Sequence, residues 1–340
     1  MSRDTSSGWT PVDRFREETP AASVELSYAG VKSFLKSDIR DVTDVADRDV
    51  AVLGVPYDGA VSNRPGARYG PEAIREASAW LAYLSGYKGG LTNMRTEKQV
   101  DYSALSVADC GDVPVFPMDR AETAASIRAH VATVASQGTM PVLLGGDHYC
   151  TYPAFCGVAE GGDYDSLGLV QIDAHTDTSE ESAVFGEHFH GSSTHHITAS
   201  KYTDYDHVGQ VGIRGYEAPD FFEFADEAGI TLRTMVNVEE QGIRSAVRDA
   251  IDAAAADTDG VYVTFDIDAL DPSIAPGTGT PEPGGLSAHQ ALTVMEELGT
   301  SEDVVAADLM EVAPTHDPTG NTGRMGAYLL VTLLERLFAE

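Results

Sequence analysis

Leu167-Gly168-Leu169-Val170-Gln171-Ile172-Asp173-Ala174-His175-Thr176-Asp177 is the stretch that decides the fold. Its first half is apolar, of strand length and without a polar face, as expected of a strand covered on both sides of a sheet. Its second half carries Asp173, His175 and Asp177 at two-residue spacing, so strand alternation would send all three to one side of the strand's carboxyl end. Two carboxylates and an imidazole desolvated together repel one another unless a cation compensates, and a divalent metal is the economical choice.

The same pattern of apolar strand followed by polar cluster recurs along the chain. Residues 50–56 read as a strand, followed by a loop rich in Gly, Pro and Arg whose Pro71 opens a helix. Residues 105–108 read as a second strand, and 120–137 as a helix stopped by Gly138. Residues 141–144 form a third strand, running into Gly145-Gly146-Asp147-His148. After the 167–172 strand come strands at 208–213 and 230–234, an alanine-rich helix at 239–255, and a strand at 260–265 that delivers Asp266-Ile267-Asp268. A last strand, 304–309, leads to Met310-Glu311, and a helix at 322–338 closes the chain. Buried strands alternating with helices predict an α/β fold, a single three-layer αβα domain over residues 31–340 with a mostly parallel sheet. The active site is expected at the C-terminal strand ends, where ligands of such sheets bind. Residues 1–30 lack periodicity and read as an irregular N-terminal arm, suited to packing on a neighbouring subunit.

Charge narrows the partners. The chain of 340 residues has 54 Asp plus Glu against 22 Lys plus Arg, a formal net charge of −32, with the acids dispersed. Such a surface repels nucleic acid and anionic membrane. It suits a high-salt cytosol, where self-repulsion is screened. No segment is long and apolar enough to span a bilayer and no signal-peptide core opens the chain, so a cytoplasmic protein is expected. Cys110, Cys150 and Cys156 form no C-x-x-C pair and read as reduced core residues.

His148, Asp173, His175, Asp177, Asp266 and Asp268 supply two imidazoles and four carboxylates, more than one tetrahedral zinc needs and without a thiolate. They suit two ions of intermediate hardness, manganese first, with nickel, cobalt or iron as alternatives. A pair of ions about 3.5 Å apart acidifies a bridging water into a nucleophile, so hydrolysis is the expected reaction.

These segments resemble the ureohydrolases, the family of arginase, agmatinase and their guanidino- and formimino-hydrolysing relatives. The likeness rests on GGDH (145–148), DAHTDT (173–178), FHGSS (189–193), TFDIDALDP (264–272), APGTGTPEPGGL (275–286) and MEVAP (310–314), and runs from about Asp49 to the C-terminus. It implies that the six residues above bind two Mn2+ per chain. It implies further that Glu311 holds the substrate guanidinium and that His190, in preference to His188, His195 and His196, passes a proton to the leaving amine. Asp271 has no ligand role in the pattern and reads as a turn former before Pro272. The family also implies a homotrimer or homohexamer.

The substrate's far end is set elsewhere. Arginase uses an Asn two residues after the last Asp of its DAHxD motif, and here that place holds Ser179, a candidate substrate contact. Glu180, Glu181 and Glu187 would suit a distal ammonium, whereas Arg64 or Arg68 could clamp a carboxylate or serve the loop structurally. NRPGARYGPEAIR (63–75), VYVTFDIDALDP (261–272) and APGTGTP (275–281) look closest to the agmatinase-like branch. The expected activity is therefore hydrolysis of agmatine to putrescine and urea, a step of polyamine metabolism. The alternatives on this scaffold are a guanidinobutyrase or other guanidino-acid or guanidine hydrolase, an arginase, and a formimidoylglutamase. A silent binding subunit is disfavoured because all six ligands are present. A one-metal deacetylase of the related fold is disfavoured by the extra carboxylates.

Overall fold

Eight parallel strand pairings build the sheet on which the site depends. Its strands are β1 (Asp38–Ile39), β2 (Val50–Gly54), β3 (Val107–Asp112), β4 (Met140–Leu144), β5 (Gly168–Ile172), β6 (Val208–Ile213), β7 (Thr231–Thr234), β8 (Val261–Asp266) and β9 (Val304–Met310). Their order across the sheet is β1-β3-β2-β4-β9-β8-β5-β6-β7. The computed structural model describes residues 26–339, so the arm expected over residues 1–30 lies outside the described residues as far as residue 25.

The helices are α1 (Gly70–Lys88), α2 (Arg120–Ala135), α3 (Thr151–Gly161), α4 (Ser193–Thr198), α5 (Phe221–Ala228), α6 (Met235–Gln241), α7 (Ile243–Ala254), α8 (Ala288–Leu298) and α9 (Asn321–Phe338). Alternation along each strand divides them between two cores. Val50 and Val52 of β2 point into a core shared with α1, α6, α7, α8 and α9, while Ala51 and Leu53 point into one shared with α2, α3, α4 and α5. Because both faces are covered, the central strands carry no polar stripe, which is why they read as continuous apolar runs. The result is the three-layer αβα architecture expected from the sequence.

Several local readings change. The helix expected at 239–255 is two, because Gly242 takes φ 87° and its N–H caps α6 on the Val238 carbonyl. That conformation is open to glycine and breaks the helical run. The strand expected at 105–108 begins at Val107 and continues to Asp112. Four helices were not anticipated, α3, α4, α5 and α8. Eight of the eleven residues of α3 are buried, which leaves it without an amphipathic period. Helix α8 opens on a Ser287 capping box with Gln290, a local signal that apolar periodicity does not register. The unanticipated α5 is a short surface helix between β6 and β7.

Arg75 ties the first helix layer to the sheet. Its Nε and Nη2 donate to the two carboxylate oxygens of Asp109 at 2.8 and 3.0 Å, from a side chain that is itself buried. Gly146 performs a related task at the site. A Cβ there would lie 1.8 Å from the Tyr57 carbonyl oxygen and 2.7 Å from that of Val55, so the loop after β2 packs directly on the turn leading to His148. Gly146→Ala is expected to cost about 1–3 kcal/mol by overpacking. The check is a lowered midpoint in thermal or urea unfolding together with weaker metal retention, and an unchanged midpoint would show that the loop yields freely.

Candidate metal centre and active site

β4, β9, β8 and β5 are consecutive neighbours at the middle of the sheet, and their carboxyl ends carry the candidate residues. In register, Leu309 faces Leu144, Asp266 faces Met310 and Phe265 faces Ile172, so the four strand tips are level. His148 follows β4, Glu311 follows β9, Asp266 and Asp268 follow β8, and Asp173 to Asp177 follow β5. All six proposed ligands therefore meet, with β9 lying between the β4 and β8 ends.

Two groups of donor atoms share one residue. His148, Asp173 and Asp266 form the first and Asp173, His175 and Asp268 the second, with the ligand atoms of each group within 4.8 Å of one another. His148 Nδ1 lies 3.0 Å from Asp173 Oδ2, 3.0 Å from Asp177 Oδ2 and 3.1 Å from Asp266 Oδ2. His175 Nδ1 lies 3.2 Å from Asp268 Oδ2 and 3.7 Å from Asp173 Oδ1. Asp173 thus turns one oxygen to each group, as a carboxylate shared between adjacent cations would.

His148 provides a test of fit. Its Nε2–H donates to Thr264 Oγ1 at 2.8 Å, and the Thr264 hydroxyl donates onward to Asp308 Oδ1 at 2.6 Å. Nδ1 is buried among three carboxylate oxygens without a well-directed hydrogen bond to any of them. A lone pair facing three anionic oxygens needs a cation, either a proton or a metal ion. In the metal-free protein burial disfavours a charged ring, yet the carboxylates of Asp173, Asp177 and Asp266 outweigh it and hold the His148 pKa well above the usual range. Burial likewise opposes protonation of His175, while Asp268 and Asp173 push its pKa up to about 12. Burial and the charges of Asp268 and Asp173 raise the Asp266 pKa. The donor set fits divalent ions that replace these protons.

Strand alternation does not create this convergence. β5 ends at Ile172, and residues 173–177 turn, with Asp177 at φ 52° in the left-handed region. The Asp173 carboxylate accepts the His175 N–H at 2.7 Å and Gln171 Nε2 at 2.8 Å, fixing the turn. Glu311, at φ 61°, is held similarly off the usual backbone regions. Its Oε1 accepts the His148 N–H at 3.0 Å and meets His190 Nδ1 at 2.8 Å, whereas its Oε2 is buried without a partner. Glu311 lies behind the cavity wall, 1 % exposed, and does not form part of it.

The cavity above the cluster is walled by His148, His175, Asp177 and Asp266 together with His190 and Ser179. Of the four neighbouring histidines only His190 reaches it. His188 and His196 instead hydrogen-bond to each other at 2.8 Å and pack against Tyr149 and Tyr152. Glu180, Glu181 and Glu187 are exposed and off the wall. Arg64 donates to the Thr278 and Gly279 carbonyls, and Arg68 pairs with buried Asp58, so both arginines serve loop structure. Asp271 is the turn former expected, accepting from Ser273 and Gly284. Two wall residues escaped the sequence reading, Ser62 and Glu217. Glu217 follows β6 and accepts from Thr176 Oγ1 at 2.7 Å, and among the described residues no Lys or Arg lines the wall.

Because Asp173 serves both groups, Asp173→Ala should empty both ion positions, whereas Asp268→Ala should weaken one. Metal content by mass spectrometry distinguishes the two, and equal losses would contradict a shared carboxylate. Since His148 and His175 hold protons in the metal-free protein, binding should release protons and weaken as pH falls. Calorimetric heats that vary with buffer ionisation enthalpy measure that release.

The arginase family model matches residues 48–335. A mitochondrial agmatinase of Gallus gallus is 37% identical over 317 residues, covering 93% of this chain and 88% of the relative. A guanidinopropionase of Pseudomonas aeruginosa is 34% identical, covering 90% and 92%. Among solved structures, the proclavaminate amidino hydrolase from Streptomyces clavuligerus superposes with a TM-score of 0.79 at 30% identity, over 92% of this chain and 99% of that one. With the sheet order, the paired donor groups and these matches together, the chain belongs to the arginase family.

Proposed function

We propose that this protein hydrolyses agmatine to putrescine and urea. The observation that supports the choice of substrate is the cavity wall, which among the described residues presents Glu217 and no Lys or Arg. A guanidino acid would bring a carboxylate to a wall of carboxylates and imidazoles, while agmatine brings an ammonium to Glu217. The names of the relatives, agmatinase and guanidinopropionase, bracket the same choice.

His148, Asp173, His175, Asp177, Asp266 and Asp268 are the residues that would hold two Mn2+ ions, with Ni2+, Co2+ or Fe2+ as substitutes. Such a pair supplies an acidified water as nucleophile for the guanidinium carbon. The chain's own residues do the rest. Glu311 lies just behind the wall, and its Oε2, the buried oxygen left without a partner, is the acceptor that a guanidinium N–H reaches once substrate displaces the wall in front of it, fixing the carbon. The Glu311 carboxylate also orients His190 through Nδ1. Burial opposes a charged His190 ring, but Glu311 pushes its pKa up to about 9, so the ring can hold a proton at neutral pH and release it to the leaving nitrogen. Ser179, which lines the same cavity, is the residue we assign to contact the substrate beyond its guanidinium.

We further assign the protein to a high-salt cytosol as a trimer or hexamer, supported by the dispersed net charge of −32 and by the family resemblance. Among the described residues no helix is long and apolar enough to cross a membrane. Thermal stability that rises as KCl is added is the expected outcome, and sedimentation gives the subunit number.

Urea release from agmatine, arginine, guanidinopropionate and guanidinobutyrate by the manganese-loaded protein tests the substrate, with agmatine expected to give the largest kcat/KM. Glu217 is solvent-exposed, so its pairing contributes modestly. Glu217→Gln should raise the agmatine KM roughly fivefold at little cost in kcat. A wild-type preference for a guanidino acid, or a Glu217→Gln variant with unchanged KM, would overturn the assignment. Glu311→Gln should instead abolish most of kcat.

A further inference from the structure

His190 is held at both nitrogens, and the second holder is Ser62. On one side Nδ1 meets Glu311 Oε1 at 2.8 Å. On the other, Nε2 lies 3.1 Å from the Ser62 backbone N and 2.6 Å from Ser62 Oγ. A backbone N–H can only donate, so Nε2 must offer its lone pair there. The neutral ring is then the tautomer with its proton on Nδ1, donated to Glu311.

The loop that carries Ser62 is itself anchored. Asp147, wholly buried, accepts the Ala60 N–H at 2.7 Å, and the Ala60 carbonyl accepts the His190 N–H at 3.0 Å. Residues 58–62 are therefore clamped between the turn before His148 and the backbone of His190. Ser62 is partly exposed and lines the cavity beside His190, so its hydroxyl meets Nε2 on one side and the cavity on the other.

We propose that Ser62 is a positioning residue for the reaction, fixing His190 with its lone pair on Nε2 and making the Ser62 hydroxyl the group through which that nitrogen exchanges protons with the cavity. Nδ1 is closed by Glu311, so exchange runs through Nε2. When a proton reaches Ser62 Oγ from the cavity, the hydroxyl's own proton moves to Nε2 and leaves an imidazolium paired with Glu311. The reverse transfer gives one proton to the departing nitrogen and restores the neutral ring and the hydroxyl. The Ser62 amide and the Glu311 carboxylate act oppositely, the amide favouring the neutral ring and the carboxylate the charged one, which keeps both forms accessible.

The inference rests on the guanidino-hydrolase reading and is independent of which guanidino compound is used. The test compares wild type, Ser62→Ala and Ser62→Thr, each loaded with manganese, on the best substrate of the panel. Ser62→Ala keeps the backbone N–H and loses the hydroxyl. Its kcat should fall on the order of 100-fold with KM changed by less than about twofold. Ser62→Thr should return kcat to within about fivefold of wild type. Manganese content should be the same in all three. Wild-type kcat in Ser62→Ala, an equal loss in Ser62→Thr, or a loss that follows manganese content would each overturn the role while leaving the activity standing. Wild-type protein that releases no urea from any guanidino compound would overturn the functional reading itself.

Discussion

The organising constraint is the mutual repulsion of four buried carboxylates. Asp173, Asp177, Asp266 and Asp268 are each at most 8 % exposed and converge on two imidazoles, and among the described residues no lysine or arginine pairs with their carboxylates. Such a cluster persists only if cations, protons or metal ions, offset its charge, and the surrounding structure holds the donor oxygens in place. Hydroxyl and amide donors occupy the carboxylate oxygens from behind, from Gln171, Thr280 and Ser193. Asp308, completely buried in β9, takes hydroxyl protons from Thr151, Tyr262 and Thr264 and through Thr264 fixes which His148 nitrogen faces the cluster. Backbone strain is accepted for the same purpose. Asp177 and Glu311 both occupy the left-handed region, at a cost on the order of 1 kcal/mol or more each, and both sit where a side chain must turn back toward the centre.

The sheet and the gathering of acids and histidines at its strand ends were legible because each rests on a local pattern. Buried parallel strands read as apolar runs, and the acids and histidines stand immediately after them, at 148, 173–177 and 266–268. Where the pattern is not local, the reading ran out. Glu217 stands in an acidic loop of an acidic protein, and only the pairing of β6 with β5 brings it to Thr176. Ser62 has no signal of its own, since its importance comes from Asp147 gripping Ala60 some eighty-seven positions away in sequence. The glutamates nearest the ligand motif in sequence, Glu180 and Glu181, drew attention and point to solvent. Helix α3 was missed for a physical reason as well, since burial on nearly all sides removes the polar face that periodicity detects.

Scarcity of cations shapes the remainder of the molecule. With 22 Lys plus Arg against 54 acids, the arginines are concentrated where a charge would otherwise be buried unpaired or crowded. Arg75 neutralises Asp109 beneath α1, Arg68 neutralises Asp58 under the loop that bears Ser62, and Arg95, Arg244 and Arg248 gather on Glu296 and Glu297 of α8. Bidentate guanidinium groups suit that duty better than the few lysines would. What remains is a cavity rim left negative, so long-range attraction favours cationic molecules approaching the site.

The position of β9 has a consequence for how the molecule is made. It is the last strand in the chain, yet it lies between β4 and β8 at the centre of the sheet. During synthesis from the N-terminus, β4 and β8 therefore wait with unpaired inner edges until residues 304–310 leave the ribosome, and α9 follows only afterwards. His148 and Asp266 stand on either side of that same gap, so the candidate ligand set comes together only when the last strand is in place. Between the synthesis of residue 266 and that of residue 304 the nascent chain therefore holds two half-sheets, each exposing an unpaired edge that only the final strand closes.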